Sequence, residues 1–109
     1  MLTVNSQDEL NAIRGPVLCK FGATWCTPCR DLEIKLLELE KAFKKTCTFV
    51  SIDVDEAEAL CARHGIKQIP HVKMIISGEE LMSCVNPTHD EIETKLHALQ
   101  TTPMQESIA

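Results

Sequence analysis

Two thiols three positions apart, in Trp25-Cys26-Thr27-Pro28-Cys29, can close into a disulfide and reopen, so this stretch can hold and release two electrons. It follows an apolar, strand-like run, Val17 to Phe21, and precedes a helix-like run from Arg30 to Lys45, which puts Cys26 at the helix's first turn. Unpaired backbone N–H groups and the positive end of the helix dipole favour a thiolate there. A free cysteine titrates near ~8.5 and the thiolate is the nucleophile, so even a modest depression raises the reactive fraction at neutral pH. Pro28 fits inside the first turn, where its missing N–H costs nothing. Trp25 is an apolar flank. The same CxxC spacing also serves as half a zinc site or as two inert buried thiols. Zinc needs a second pair or histidines at ligand spacing, whereas Cys19, Cys47, Cys61 and Cys84 stand singly along the chain. The strand-to-helix context favours redox chemistry without a metal.

The bulk properties suit such a site. With 109 residues, 44% of them apolar, the chain fits one domain with a real core that needs no disulfide staples. The opening residues, Met1 to Leu10, carry polar and acidic groups where a signal peptide needs a basic segment and an apolar stretch. A reducing, cytoplasmic setting is therefore expected, with most thiols free. No apolar run approaches the ~20 residues of a membrane span, so no membrane partner is expected. A net charge of −5 and the lack of a basic, aromatic-bearing patch argue against nucleic acid. Lys41, Lys44 and Lys45 fall in the last turns of the long helix, where cations oppose the dipole's negative end.

The elements that must position the thiols alternate between two periodicities. Leu2 to Val4 reads as a short strand, and Ser6 with Glu9 as a capping box opening a helix that Gly15-Pro16 stops. Val17 to Phe21 is almost continuously apolar, as a central strand covered on both faces should be. The long helix carries Leu32, Leu36, Leu39 and Phe43 at spacings of three and four, with Ile34 and Leu37 expected to broaden the stripe. Cys47 to Ile52 is the next strand; Asp55 with Glu58 suggests a cap for a short helix that Gly65 ends. Val72 to Ile76 and Leu81 to Val85 read as a hairpin about Ser77-Gly78, and Thr88 with Glu91 caps a last helix whose Ile92, Leu96 and Leu99 face inward. Residues 101–109, aperiodic and containing Pro103, read as a flexible C-terminal tail beyond a domain over 1–100. The order βαβαβαββα gives an α/β fold, a central mixed β-sheet with helices on both faces.

This pattern resembles the thioredoxin family, over nearly the whole chain. Phe21-Gly22-Ala23-Thr24-Trp25-Cys26-Thr27-Pro28-Cys29-Arg30 is similar to the family's active-site segment, with Thr27 in place of its usual glycine. Ile66-Lys67-Gln68-Ile69-Pro70 is similar to the segment ending in the family's cis-proline, and Gly78 falls where a hairpin glycine is usual. The resemblance implies the thioredoxin fold and a dithiol–disulfide oxidoreductase that reduces client disulfides. In it Cys26 forms a mixed disulfide, and the more buried Cys29 resolves it. It further implies no cofactor, a reductase of the thioredoxin reductase type, clients such as peroxiredoxins, and action as a monomer. Trp25, Ile69, Pro70, Val85 and Asn86 would line the substrate groove.

Several positions depart from the family pattern. Lys20 stands where many members carry a buried Asp that moves protons for the resolving thiol. Its ammonium either lies beneath the CxxC and favours thiolates or reaches the surface; the cost of burying a lone charge favours a partly exposed or acid-paired lysine. His71 replaces a frequent Thr after Pro70, as an imidazole near the thiols or a strand-edge histidine, and Asn86 replaces a frequent groove glycine. Ile34 replaces a helix-kinking proline. These changes motivate an alternative: a specialised electron donor or interaction module with one dedicated client. Cys19 and Cys84, within apolar strand runs, are expected to be buried, and Cys47 and Cys61 to be more reachable.

Overall fold

Every residue of the strand Val17–Gly22 is buried, and the rest of the chain is arranged to cover it. A computed structural model of the protein describes residues 1–108, with the side chains of 1–100. The elements are β1 (Leu2–Thr3), α1 (Gln7–Asn11), β2 (Val17–Gly22), α2 (Thr27–Phe43), β3 (Thr48–Asp53), α3 (Glu58–Arg63), β4 (His71–Ile76), β5 (Glu79–Val85) and α4 (His89–Ile108). They follow the expected order βαβαβαββα. One five-stranded sheet runs β1-β3-β2-β4-β5, with β2 central. β2 pairs parallel to β3, with Phe21 beside Ile52, and antiparallel to β4, with Phe21 beside His71.

Side chains alternate across a strand, so β2 feeds two cores. Leu18, with Phe49, Val72 and Met74, packs under α2 and α4 through Leu32, Leu36, Leu39, Phe43, Ile92 and Leu96. Cys19 and Phe21, with Val50 and Ile52, pack on the other face against Leu10 of α1 and Leu60 and Cys61 of α3. Helices therefore cover both faces.

The helix ends explain the boundaries. Ser6 Oγ accepts the Glu9 N–H at 3.2 Å, and Thr88 Oγ1 accepts the Glu91 N–H while Glu91 accepts the Thr88 N–H, a reciprocal capping box. Gly65, at φ 66, ends α3: its N–H donates to the Ala62 carbonyl and that of Ile66 to the Cys61 carbonyl, a Schellman pair. Ser77 and Gly78, at φ 50 and 82, make the two-residue hairpin turn.

Some expectations are corrected. Ile34 (65% exposed) and Leu37 do not broaden the stripe of α2. Ile34 lies two positions from Leu32, about 200° around the helix, and faces away from the sheet. The Asp55–Glu58 cap does not form; Ala57 is the N-cap, without a side-chain bond. β5 begins at Glu79, because the tight turn lets Ile76 and Glu79 pair at once. Cys47 and Cys61 are buried, one under Phe43 and the other on the inner side of α3, whereas Cys84 on the edge strand β5 is half-buried. The α4 backbone continues past Thr101, where the tail was expected; the side chains of 101–109, and Ala109 altogether, lie outside the described residues. Among the described residues, no helix is long and apolar enough to cross a membrane.

Candidate active site

The C-terminal end of β2 turns at Ala23-Thr24-Trp25 into α2, and that junction carries the cysteines. Cys26 is the N-cap of α2, with extended backbone (φ −96, ψ 107), and its sulfur accepts the Cys29 N–H at 3.3 Å. A sulfur at a helix N-cap is where partial positive charge concentrates. Pro28 occupies the first turn, as expected. Cys26 and Cys29 are joined by a disulfide, with their Cα atoms 5.3 Å apart. Cys26 is 7% exposed and Cys29 1%, so the first sulfur is less open than its helix-edge position suggested. Ala23, Val54 and Ile69 pack around the pair.

The rim is built from four loops. Trp25 stands 66% exposed, and its indole N–H donates to Asp55 Oδ2 at 2.8 Å. Asp55 is held in turn by its own N–H, which donates to Asp53 Oδ1 at 2.8 Å. In the sequence Asp55 pairs with Glu58 as a local capping pattern, and only the folded β3–α3 turn brings it to Trp25. The Ile69–Pro70 peptide bond is cis. The Pro70 carbonyl accepts the Asn86 N–H at 2.7 Å, which ties the start of β4 to the end of β5. Asn86 takes a positive φ of 46, and Val85 beside it is exposed. The structure thus places Trp25 and Ile69 on one cavity wall and Val85 with Asn86 beside Pro70.

Lys20 and His71 lie on opposite faces of the sheet. Lys20 shares the Leu18 face under α2, is 7% exposed, and its Nζ donates to Glu33 Oε1 at 2.9 Å. The lysine is acid-paired. His71 sits beside Phe21 on the α3 face, its ring edge-on to Phe21 and its Nε2 2.8 Å from Ser83 Oγ. Its Nδ1 is buried without a partner, and burial, then nearby Lys73, push its pKa down. It therefore stands as a neutral strand histidine on the face opposite α2, not over the thiols. Burial pushes the Cys19 and Cys47 thiols up to about 12, which makes them inert at neutral pH. Among the described residues, no third cysteine, histidine or carboxylate completes a metal-ligand set with Cys26 and Cys29.

A sequence profile of the Thioredoxin family matches residues 2–98. The chain is 28% identical to thioredoxin H5 of Oryza sativa subsp. japonica over 104 residues, covering 95% of this chain and 76% of that one. It is 31% identical to thioredoxin-1 of Caenorhabditis elegans over 80 residues, covering 73% and 69%. Among solved structures, a mutant thioredoxin from Halobacterium salinarum NRC-1 superposes with a TM-score of 0.82 at 28% identity, covering 90% of this chain and 88% of that one. With a disulfide-forming cysteine pair where β2 meets α2, the chain belongs to the thioredoxin family of thiol–disulfide oxidoreductases.

Proposed function

We propose that this protein reduces disulfides of client proteins, with Cys26 as the attacking sulfur and Cys29 as the resolving one. The observation that carries the assignment is the asymmetry of the pair: the Cys26 sulfur caps α2 and the residue keeps 7% exposure, while Cys29 is 1% exposed one turn inside. A Cys26 thiolate attacks one client sulfur, and the client's S–S bond breaks as the mixed disulfide forms. The client's other sulfur leaves as thiolate and takes a proton. Cys29 then attacks Cys26, and the second client sulfur departs. The protein's dithiol is oxidised by two electrons and the client is reduced. Ile69 and Pro70, with Trp25, Val85 and Asn86, form the groove in which an extended client segment lies.

The cycle closes through a reductase of the thioredoxin reductase type, with clients such as peroxiredoxins; the protein acts as a monomer in the cytoplasm. Insulin reduction with such a reductase and NADPH, or with dithiothreitol, tests the activity, and absence of turnover with both electron sources overturns it. Cys29→Ser traps client adducts and Cys26→Ser traps none; equal adducts from both variants overturn the assignment of roles. The pairing of buried Lys20 with the partly exposed Glu33, set beside the resolving cysteine, favours a second reading, a donor specialised for one client. Comparable rates across a panel of unrelated disulfide proteins refute that reading.

A further inference from the structure

Cys29 must lose a proton before it can resolve a mixed disulfide, and at 1% exposure bulk water does not reach it directly. The proton therefore leaves through whatever the sulfur faces inside the protein. A cavity of about 370 Å³ opens beside it, lined among others by Lys20, Cys29, Arg30, Glu33, Ser51 and Asp53. That volume holds several waters, and its walls are polar enough to order them.

The charged groups around this cavity come from three elements: Lys20 from β2, Arg30 and Glu33 from α2, and Asp53 from β3. Glu33 follows Cys29 by four residues, so both project from the same side of α2, one turn apart. Lys20 runs beneath them. Its Cε and the Cys29 sulfur border the same small space at Gly22, where an added Cβ would lie 3.4 and 3.1 Å from the two atoms. Its Nζ holds Glu33 Oε1 at 2.9 Å, while Glu33 itself remains 40% exposed. Among the described residues, Glu33 Oε2 has no protein partner. Asp53 is less free, because its Oδ1 accepts the Asp55 N–H.

We propose that Lys20 and Glu33 form a positioning pair for the resolving step, in which the Glu33 carboxylate accepts the Cys29 proton through cavity water and passes it to solvent. This inference rests on Cys29 being the resolving cysteine. The Cys29 S–H bond breaks, the proton goes by water to Glu33, and the sulfur's electron pair forms the bond to Cys26. The Cys26–client bond breaks in the same displacement, and the client sulfur leaves with that electron pair and takes a proton from solvent. Lys20 fixes the carboxylate at the cavity wall and keeps the site from carrying an unbalanced negative charge as the Cys29 thiolate forms. The partial exposure of Glu33 completes the route, since an acceptor sealed from solvent could not turn over.

Electrostatics alone predicts the opposite result on removing the carboxylate, which makes the inference testable. Without Glu33, the lone Lys20 cation would stabilise the Cys29 thiolate and speed resolution at neutral pH. With Glu33 as acceptor, its loss slows resolution. Reduced protein is mixed with a limiting chromogenic aryl disulfide, whose first aryl thiolate reports attack by Cys26 and whose second reports resolution by Cys29. In Glu33→Gln the first release keeps its wild-type rate. The second is expected to slow about tenfold at pH 7, below the usual ~10²–10⁴ because the base acts through water. Its rate then climbs with pH and meets that of the wild type in alkali. Glu33→Asp recovers part of the loss, and Lys20→Met, which removes the tether, slows the same phase. A second phase that is unchanged or faster in Glu33→Gln overturns the proposal. A second release that persists in Cys29→Ser would instead overturn the assignment of Cys29, independently of Glu33.

Discussion

Gly22→Ala tests how tightly the redox site is packed, and its effect can be worked from three distances. Gly22 ends β2 with an ordinary strand backbone, unlike Gly15 and Gly65 at φ 79 and 66, so its missing side chain serves space and not conformation. A Cβ there would lie 3.1 Å from the Cys29 sulfur, 3.2 Å from Cys29 Cβ and 3.4 Å from Lys20 Cε, so the neighbours must yield by a few tenths of an ångström. Lys20 can swing its stem. Cys29 cannot when oxidised, because its sulfur is bonded to Cys26 and its backbone lies in the first turn of α2. In the reduced protein the thiol is free to turn about its Cα–Cβ bond.

Overpacking of this kind costs about 1–3 kcal/mol, and the small displacement points to the lower end, about 1 kcal/mol, borne mainly by the oxidised form. The gain of about 0.4–1 kcal/mol from a less flexible unfolded chain is common to both forms and cancels in the comparison. A penalty of about 1 kcal/mol on the disulfide alone raises the two-electron potential by about 20 mV. Equilibration in glutathione buffers, read by thiol trapping and mass spectrometry, measures that shift, and urea melts of the two forms measure its origin. A potential that stays constant or falls, or equal destabilisation of both forms, would refute the reasoning.

Three further outcomes follow from burial and charge. Leu36→Ala, at a fully buried position of α2, is expected to cost about 3 kcal/mol in urea unfolding, while Ile34→Ala on the exposed face costs about 0.5 kcal/mol or less; equal costs would mean that α2 does not pack as described. In native reduced protein at pH 8, Cys84 should be alkylated well before Cys19 and Cys47, whose thiols burial holds near about 12; mass mapping that finds Cys19 or Cys47 labelled first would contradict that burial. His64 and His71 both have pKa values lowered, first by burial and then by Lys73, so the unfolded chain takes up their protons first as pH falls. Their contribution to stability is present above the unfolded value near ~6.5 and is lost as pH drops through the lower folded values. Denaturant midpoints measured between pH 8 and 5 should fall less steeply in a His64→Gln, His71→Gln double variant, and an unchanged slope would exclude the two imidazoles as its source.

The sequence displayed what periodicity and turn chemistry can carry. Leu32, Leu36, Leu39 and Phe43 marked the buried side of α2, and all four are in its core. Ser6 and Thr88 marked helix starts through bonds made within four residues, and Gly65 and Ser77-Gly78 marked turns through local backbone need. Ile34 and Leu37 misled because apolar residue type does not by itself report angle on the helix. Asp55 misled because a carboxylate two residues past a strand has several possible partners, and the one it took, Trp25, lies thirty positions earlier in the chain. Cys47 at a strand's start and Cys61 on a short helix suggest reachable thiols, yet both are buried, in the cores that hold Phe43 and Leu60.

The Lys20–Glu33 pair shows that some of this distance information can be reached by logic, although no motif spells it. Val17 to Gly22 is a strand buried on both faces, so a lysine within it has nowhere exposed to point along the strand. Alternation puts Lys20 on the side of Leu18, the face roofed by α2. On α2 the residues that meet the sheet fall at Cys29, Leu32 and Leu36, and a carboxylate able to reach a lysine near the start of that line must stand beside it, within a turn of Cys29. Asp31 and Glu33 are the acids in that stretch. Asp31 is two positions from Cys29, about 200° around the helix, whereas Glu33 at four positions returns to the same side. The cost of leaving an ammonium buried and alone then selects Glu33 as the partner, and the 2.9 Å contact is the outcome of that selection.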